Sequence, residues 1–240
     1  MKKQVILLQV AMKVECDWLL KQVTAVEKEI SGYLFYEWEM KDKFVVLSLS
    51  GVGIIAASAS FSVAIEHYHP DFVINYGVAG AMTDYLHIGD VVVATQCINI
   101  NSYRTPFRGI GEGSNSLDWN LLTFLSGEED RFISYDSSKW LLKLVRDNFL
   151  DCSVFYGVIG SGDVWNQELD RILFLNQSYG VLASDMEACA TYTIARSKNI
   201  PVISFKMISD NSLLGEAYDR TVSENLQRYV LDYLEVLVNI

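Results

Sequence analysis

The chain has three prolines, three histidines and four cysteines in 240 residues, and none of the three types clusters. Few prolines leave long stretches free to run as uninterrupted helix or strand. His67 and His69 bracket Tyr68 at a helix end, and His87 lies in a turn. No cluster of carboxylates stands beside them in sequence, so the spacing offers no metal site and no metal is expected. Cys16, Cys97, Cys152 and Cys189 contain no C-x-x-C pair. They read as reduced core thiols in a cytoplasmic protein rather than as a disulfide framework.

Positive charge is also scarce. Nineteen Lys and Arg face thirty Asp and Glu, a net charge of −11. Nucleic-acid binding needs clustered cations, so that class of partner is excluded. No apolar run approaches the length of a bilayer span, so no membrane partner is expected. The start, Met1-Lys2-Lys3 followed by Gln4–Leu8, has the basic tip of a leader peptide. Gln9 interrupts the run, so a first buried strand is the better reading. A Gly-x-Ser-x-Gly elbow is missing, which removes the usual serine nucleophile.

What is present is a normal globular balance, 50% apolar and 20% charged, with enough length for a sizeable core. One domain, 1–240, is the simplest organisation. Val5–Val10 reads as a buried strand, then a mixed-polarity helix is expected from about Lys13 to Ile30. Lys43–Leu49 is a strand, and Gly51-Val52-Gly53 opens an apolar helix through Glu66 that Pro70 closes. Phe72–Tyr76 and Val91–Ile98 read as strands, and 99–135 as one long irregular region. Trp140–Phe149 is expected as helix, Val154–Ile159 as strand, Asp185–Lys198 as helix and Pro201–Ile208 as strand. Leu226, Val230, Leu231, Leu234 and Leu237 space a closing helix over Ser223–Val238. The alternation predicts a single α/β domain, a mixed and mostly parallel central sheet flanked by helices.

Chemistry concentrates in two segments, Ser184-Asp185-Met186-Glu187 and Ile208-Ser209-Asp210. Carboxylates at strand ends of an α/β chain are where ligands are usually met. Simpler readings stand beside this one. Ser184-x-x-Glu187 fits a capping box, and Asp210-Asn211-Ser212 an ordinary turn. Asp163, after Ser161-Gly162, fits a turn residue as well. Gly51-x-Gly53-x-x-Ala56 after a strand fits the local dinucleotide fingerprint, but the next strand ends Ile74-Asn75-Tyr76 without the acid that would hold a ribose.

Taken in order along the chain, these segments resemble the purine nucleoside phosphorylase and nucleosidase superfamily. The closest likeness is to the 5'-methylthioadenosine/S-adenosylhomocysteine nucleosidases. The carriers are Val10–Glu15, Ser50–Gly53, Pro70–Gly80 with Gly89–Val93, Gly157–Trp165, Met186-Glu187 and Ile208–Asp210. The resemblance implies a nucleoside phosphorylase-like fold and hydrolysis of the N-glycosidic bond of an adenine nucleoside. Glu15 would activate water and Asp210 would protonate the leaving base at N7. Trp165 would flank the purine, with Asn166 beside its edge. Met186 would pack on the sugar, and Glu187, next to Asp185, would accept hydrogen bonds from the ribose hydroxyls. Val78 stands where the family carries a small hydroxyl residue, and Lys206 where it carries an arginine; both belong to the expected substrate site.

The chemistry agrees with that assignment. Breaking the bond builds oxocarbenium character on the ribose and negative charge on the base, which a carboxylic acid can neutralise. Each positioned acid or base is worth on the order of 10²–10⁴ in rate. No cofactor is needed. Family phosphorylases hold phosphate with arginines, one of them at the strand end leading into the Gly-rich turn. Ile74–Met82 has no cation, which favours water over phosphate. A phosphate-dependent phosphorylase and a non-catalytic nucleoside-binding or storage protein remain the alternatives. The resemblance also implies a homodimer in which Tyr103–Gly113 closes over the neighbouring subunit's site.

Overall fold

Apolar residues fill the sequence from Val5 to Leu8, and six of the seven residues of the strand they build are buried. The computed structural model describes residues 3–122, 133–149 and 153–239. From the N terminus run β1 (Gln4–Val10), a 3-10 turn (Lys13–Glu15), α1 (Asp17–Gln22), β2 (Val26–Ile30), β3 (Tyr33–Met40) and β4 (Lys43–Leu49). Then come α2 (Ile54–Tyr68), β5 (Phe72–Ala81), β6 (Val91–Asn99), β7 (Tyr103–Arg104), β8 (Asn120–Leu121) and β9 (Ser134–Asp136). The chain closes with α3 (Lys139–Asn148), β10 (Val154–Ser161), α4 (Leu169–Tyr179), β11 (Val181–Asp185), α5 (Ala188–Ser197), β12 (Val202–Asp210) and α6 (Val222–Leu237).

Ten strands form one mixed sheet in the order β11-β10-β6-β12-β5-β1-β4-β3-β2, with β9 on β6. Parallel pairing joins β4, β1, β5 and β12, and again β6, β10 and β11. Antiparallel pairing links β12 to β6 and builds the β2–β3–β4 edge. The sheet also curls back on itself, because Ala183 of β11 sits opposite Ala81 of β5.

Period-two alternation sends side chains to two separate cores. Ile6, Leu8, Val10, Ile74 and Tyr76 face one, where Leu226, Val230, Tyr233 and Leu234 of α6 cover them. Val5, Leu7 and Val73 face the other, under Phe61 and Ala64 of α2 and Tyr192 of α5. Each such Val, Leu, Ile or Phe side chain contributes about 1.5–3 kcal/mol through its removal from water. Of the residues expected to bury the last helix, Leu231 is only half-buried, and Tyr233 fills the face instead.

The expected α/β architecture is present, with four local departures. The helix expected over 13–30 stops at Gln22, because Val26–Ile30 pairs antiparallel with Tyr33–Glu37 across a tight turn at Ser31 and Gly32, both at positive φ. β3, α4 and β11 are elements that apolar patterning alone did not isolate. The helix expected from Asp185 begins at Ala188, since Asp185 ends a strand. The irregular region holds β7, β8 and a 3-10 turn at Ser116–Asp118, while 123–132 lie outside the described residues. Buried Arg171 of α4 organises it by donating to the carbonyls of Ser116 and Trp119, and Tyr103 stacks on Trp119 with ring centroids 4.8 Å apart. Cys16, Cys97 and Cys189 are free and buried, and Cys152 lies outside the described residues.

Candidate active site

The carboxyl ends of β1, β4, β5, β10, β11 and β12 converge on one cavity of about 350 Å³. Glu15, Val78, Trp165, Asn166, Asp185, Met186, Glu187 and Asp210 all line it. These residues lie up to 195 positions apart, taking Glu15 and Asp210 as the extremes (210 − 15), and the sheet brings them together. Lys206 does not line the cavity. Its ammonium is buried behind the wall, 2.7 Å from Asp185 Oδ2.

Glu15 is held by three backbone donors. Oε2 accepts from Ala11 and Met12 at 3.1 and 2.9 Å, and Oε1 accepts from Val78 at 2.9 Å. Val78 therefore acts through its backbone N–H. Burial pushes the Glu15 carboxyl above its ordinary value, opposed by Lys206 and the three N–H groups. A higher proton affinity makes the carboxylate a stronger base. Glu15 reaches this place because position 77 is glycine: a Cβ there would lie 2.7 Å from Glu15 Oε1.

Glu187 Oε1 accepts from Gly53 N–H at 2.8 Å, across the cavity wall from its own helix. The capping-box reading is thereby corrected. Asp185 Oδ2, not Glu187, takes the N–H groups of Glu187 and Ala188, at 3.3 and 2.9 Å, and Ser184 Oγ accepts from Asn166 Nδ2 at 3.0 Å. Burial first, then the Asp185 charge, push the Glu187 carboxyl up to about 7. Burial works against the Lys206 charge, but Asp185, Glu187 and Glu15 outweigh it and hold its pKa above the ordinary value. Asp185 Oδ1 is buried without a hydrogen-bond partner among the described residues.

Asp210, at the end of β12, accepts from Ser209 Oγ at 2.8 Å and from the Trp165 indole N–H at 3.4 Å. A Cβ at Gly80 would come within 3.2 Å of Asp210 Oδ2, so a second glycine of β5 makes room for a second carboxylate. Trp165 meets Tyr218 edge to face, centroids 5.5 Å apart, giving an aromatic corner beside the acid. Tyr218, Met12, Val52 and Val164 also line the cavity and were not anticipated. The only signal for Tyr218 was an aromatic residue in the polar stretch after Asp210.

The Gly51–Gly53 turn resembles a phosphate cradle only in sequence. The N–H groups of Gly53 and Ile54, which would face a pyrophosphate in a dinucleotide fold, go to Glu187 at 2.8 Å and Asp163 at 2.6 Å. Among the described residues, four carboxylates and no Lys, Arg or His line the cavity.

Strand ends gathered around one acidic, aromatic-walled cavity define an α/β protein whose mixed, partly closed sheet carries its candidate site at the strands' carboxyl ends. Within that class the chain belongs to the phosphorylase superfamily, whose family model matches residues 5–239. A relative from Oceanobacillus iheyensis, a 5'-methylthioadenosine/S-adenosylhomocysteine nucleosidase, is 26% identical over 235 residues, covering 94% of this chain and 96% of its own. The Helicobacter pylori nucleosidase of the same name, solved with butyl-thio-DADMe-Immucillin-A, superposes with a TM-score of 0.80 at 20% identity, over 98% of this chain and 99% of that one. Futalosine hydrolase from Helicobacter pylori superposes with a TM-score of 0.78 at 21% identity, over 100% and 99%.

Proposed function

We propose that the protein hydrolyses the N-glycosidic bond of an adenine nucleoside of the 5'-methylthioadenosine or S-adenosylhomocysteine type. The observation that carries this reading is the cavity lining of four carboxylates without a cation among the described residues. A phosphate dianion placed there would meet like charge and no charge-assisted donor. A neutral nucleoside and a water molecule meet no such penalty. The names of the relatives support the same substrate class.

In this reading Glu15 orients and deprotonates water for attack at the sugar's anomeric carbon. Asp210 gives its proton to N7 of the leaving base. Glu187 accepts from the ribose hydroxyls, with Asp185 and Lys206 behind it, and Met186 packs on the sugar. Trp165 and Tyr218 wall the base, and Asn166 stands at its edge. Acid–base chemistry suffices, so no cofactor is invoked. We place the enzyme in the cytoplasm, a choice supported by its free, buried thiols.

The test is to incubate the purified chain with a panel of purine nucleosides, with and without phosphate, and to identify the sugar product. Free adenine and a free ribose derivative are expected without phosphate. An obligatory phosphate requirement with a ribose-1-phosphate product would overturn the hydrolase reading.

A further inference from the structure

Asp163 stands two residues before Trp165, on the segment that follows β10, and it reaches out of that segment. Its Oδ1 accepts from Ile54 N–H at 2.6 Å, at the first turn of α2. The neighbouring N–H, of Gly53, is the one that holds Glu187 Oε1 at 2.8 Å. Two carboxylates from different parts of the chain therefore divide the donors at one helix start, where free N–H groups and the helix dipole favour negative charge. The fit is close: a Cβ on Gly53 would lie 2.8 Å from Asp163 Oδ1, and Gly53 sits at φ 99°. The same segment is fixed at its other end, where Asn166 Nδ2 donates to Ser184 Oγ at 3.0 Å.

We propose that Asp163 is a positioning residue for the site, tying the wall that carries Trp165 and Asn166 to the α2 turn that holds Glu187. The inference rests on the nucleosidase reading for its kinetic consequence. Glu15 is anchored elsewhere, on the N–H groups of Ala11 and Val78, and Asp210 keeps its 2.8 Å bond from Ser209 Oγ, the Trp165 indole reaching it only at 3.4 Å. Loosening the tether thus disturbs residues that contact the bound nucleoside more than the acid and base that act on it. An ordinary capping role would change stability alone.

The experiment compares Asp163→Ala with Asp163→Asn, whose side-chain carbonyl still accepts the Ile54 N–H, using 5'-methylthioadenosine as the probe. The alanine variant is expected to raise KM by about tenfold to a hundredfold with kcat changed far less, the pattern of lost ground-state contacts. The asparagine variant is expected to restore KM to near the wild-type value. Independently of turnover, the Trp165 indole N–H resonance, identified by its loss in Trp165→Phe, is expected to move in Asp163→Ala and to stay in Asp163→Asn. An unshifted resonance with an unchanged KM, even with a lowered Tm, would overturn the proposal. A wild type that cleaves no nucleoside, but whose Trp165 resonance responds as expected, would overturn the nucleosidase reading and leave the tether standing.

Discussion

Glu187 holds its proton up to about pH 7 because burial and the Asp185 charge disfavour its carboxylate. The unfolded chain releases that proton near the ordinary 4.5, so the native state binds more protons between about 4.5 and about 7. Stability contributed by this group is therefore present at low pH and lost as pH rises through that window. Nucleoside binding runs the other way, since the ribose hydroxyls donate to the ionised form. Affinity for 5'-methylthioadenosine, measured calorimetrically on Asp210→Asn, is expected to strengthen as pH rises through about 7. In a double variant that also carries Glu187→Gln, the affinity should be weaker and lose that pH dependence. At the same scale, Lys206→Met would leave Asp185 buried without its cation, at a cost of about 3–5 kcal/mol in denaturant unfolding. Sequence order made Glu15, Glu187 and Asp210 legible, because each sits in a short segment of recognisable composition. The partnership of Lys206 with Asp185 was not legible, since it is set by which face of β12 turns toward β11. Tyr218 and the reach of Asp163 depend likewise on contacts across distant segments.

Among the elements, β5 does the most to shape the site. It is a ten-residue strand with glycine at 77 and 80, and those two positions leave room for Glu15 and Asp210. Gly77→Ala keeps the strand but places a methyl 2.7 Å from Glu15 Oε1. Turnover of 5'-methylthioadenosine is expected to fall by about two orders of magnitude, a displacement effect on the attacking water's base. Circular dichroism should remain that of the wild type. The strands with continuous apolar runs, β1, β6 and β12, could be read directly from sequence, whereas β5 was legible only to Tyr76 and runs on through both glycines to Ala81. The segment 13–30 could not, because its charged residues suit a helix surface and an edge strand equally. Pairing with β3 through the Ser31-Gly32 turn decides between them. β11 is short, and its alternation with α4 emerges only when Leu175 and Val181 are seen to share a core.

For the whole molecule, large apolar side chains stand exposed near the cavity mouth and on the loop after β7. Val52, Val164 and Trp165 are about half-exposed, and Phe107 and Ile110 are fully exposed. Exposed apolar groups of this kind suit a covered interface. If the chain assembles as the sequence resemblance implies, it is expected to sediment as a dimer at micromolar concentration, and the double variant Phe107→Asp with Ile110→Asp as a monomer with weakened nucleoside binding. A wild-type monomer with full activity would count against the assembly.

The most direct test of the account is the paired measurement of turnover and binding in Asp210→Asn. The substitution keeps the size of the side chain and removes the proton offered to the leaving base. With Asp210 as the acid, 5'-methylthioadenosine is expected still to bind to Asp210→Asn while its cleavage falls by about two to four orders of magnitude. An active wild type whose Asp210→Asn variant keeps its rate would contradict that role.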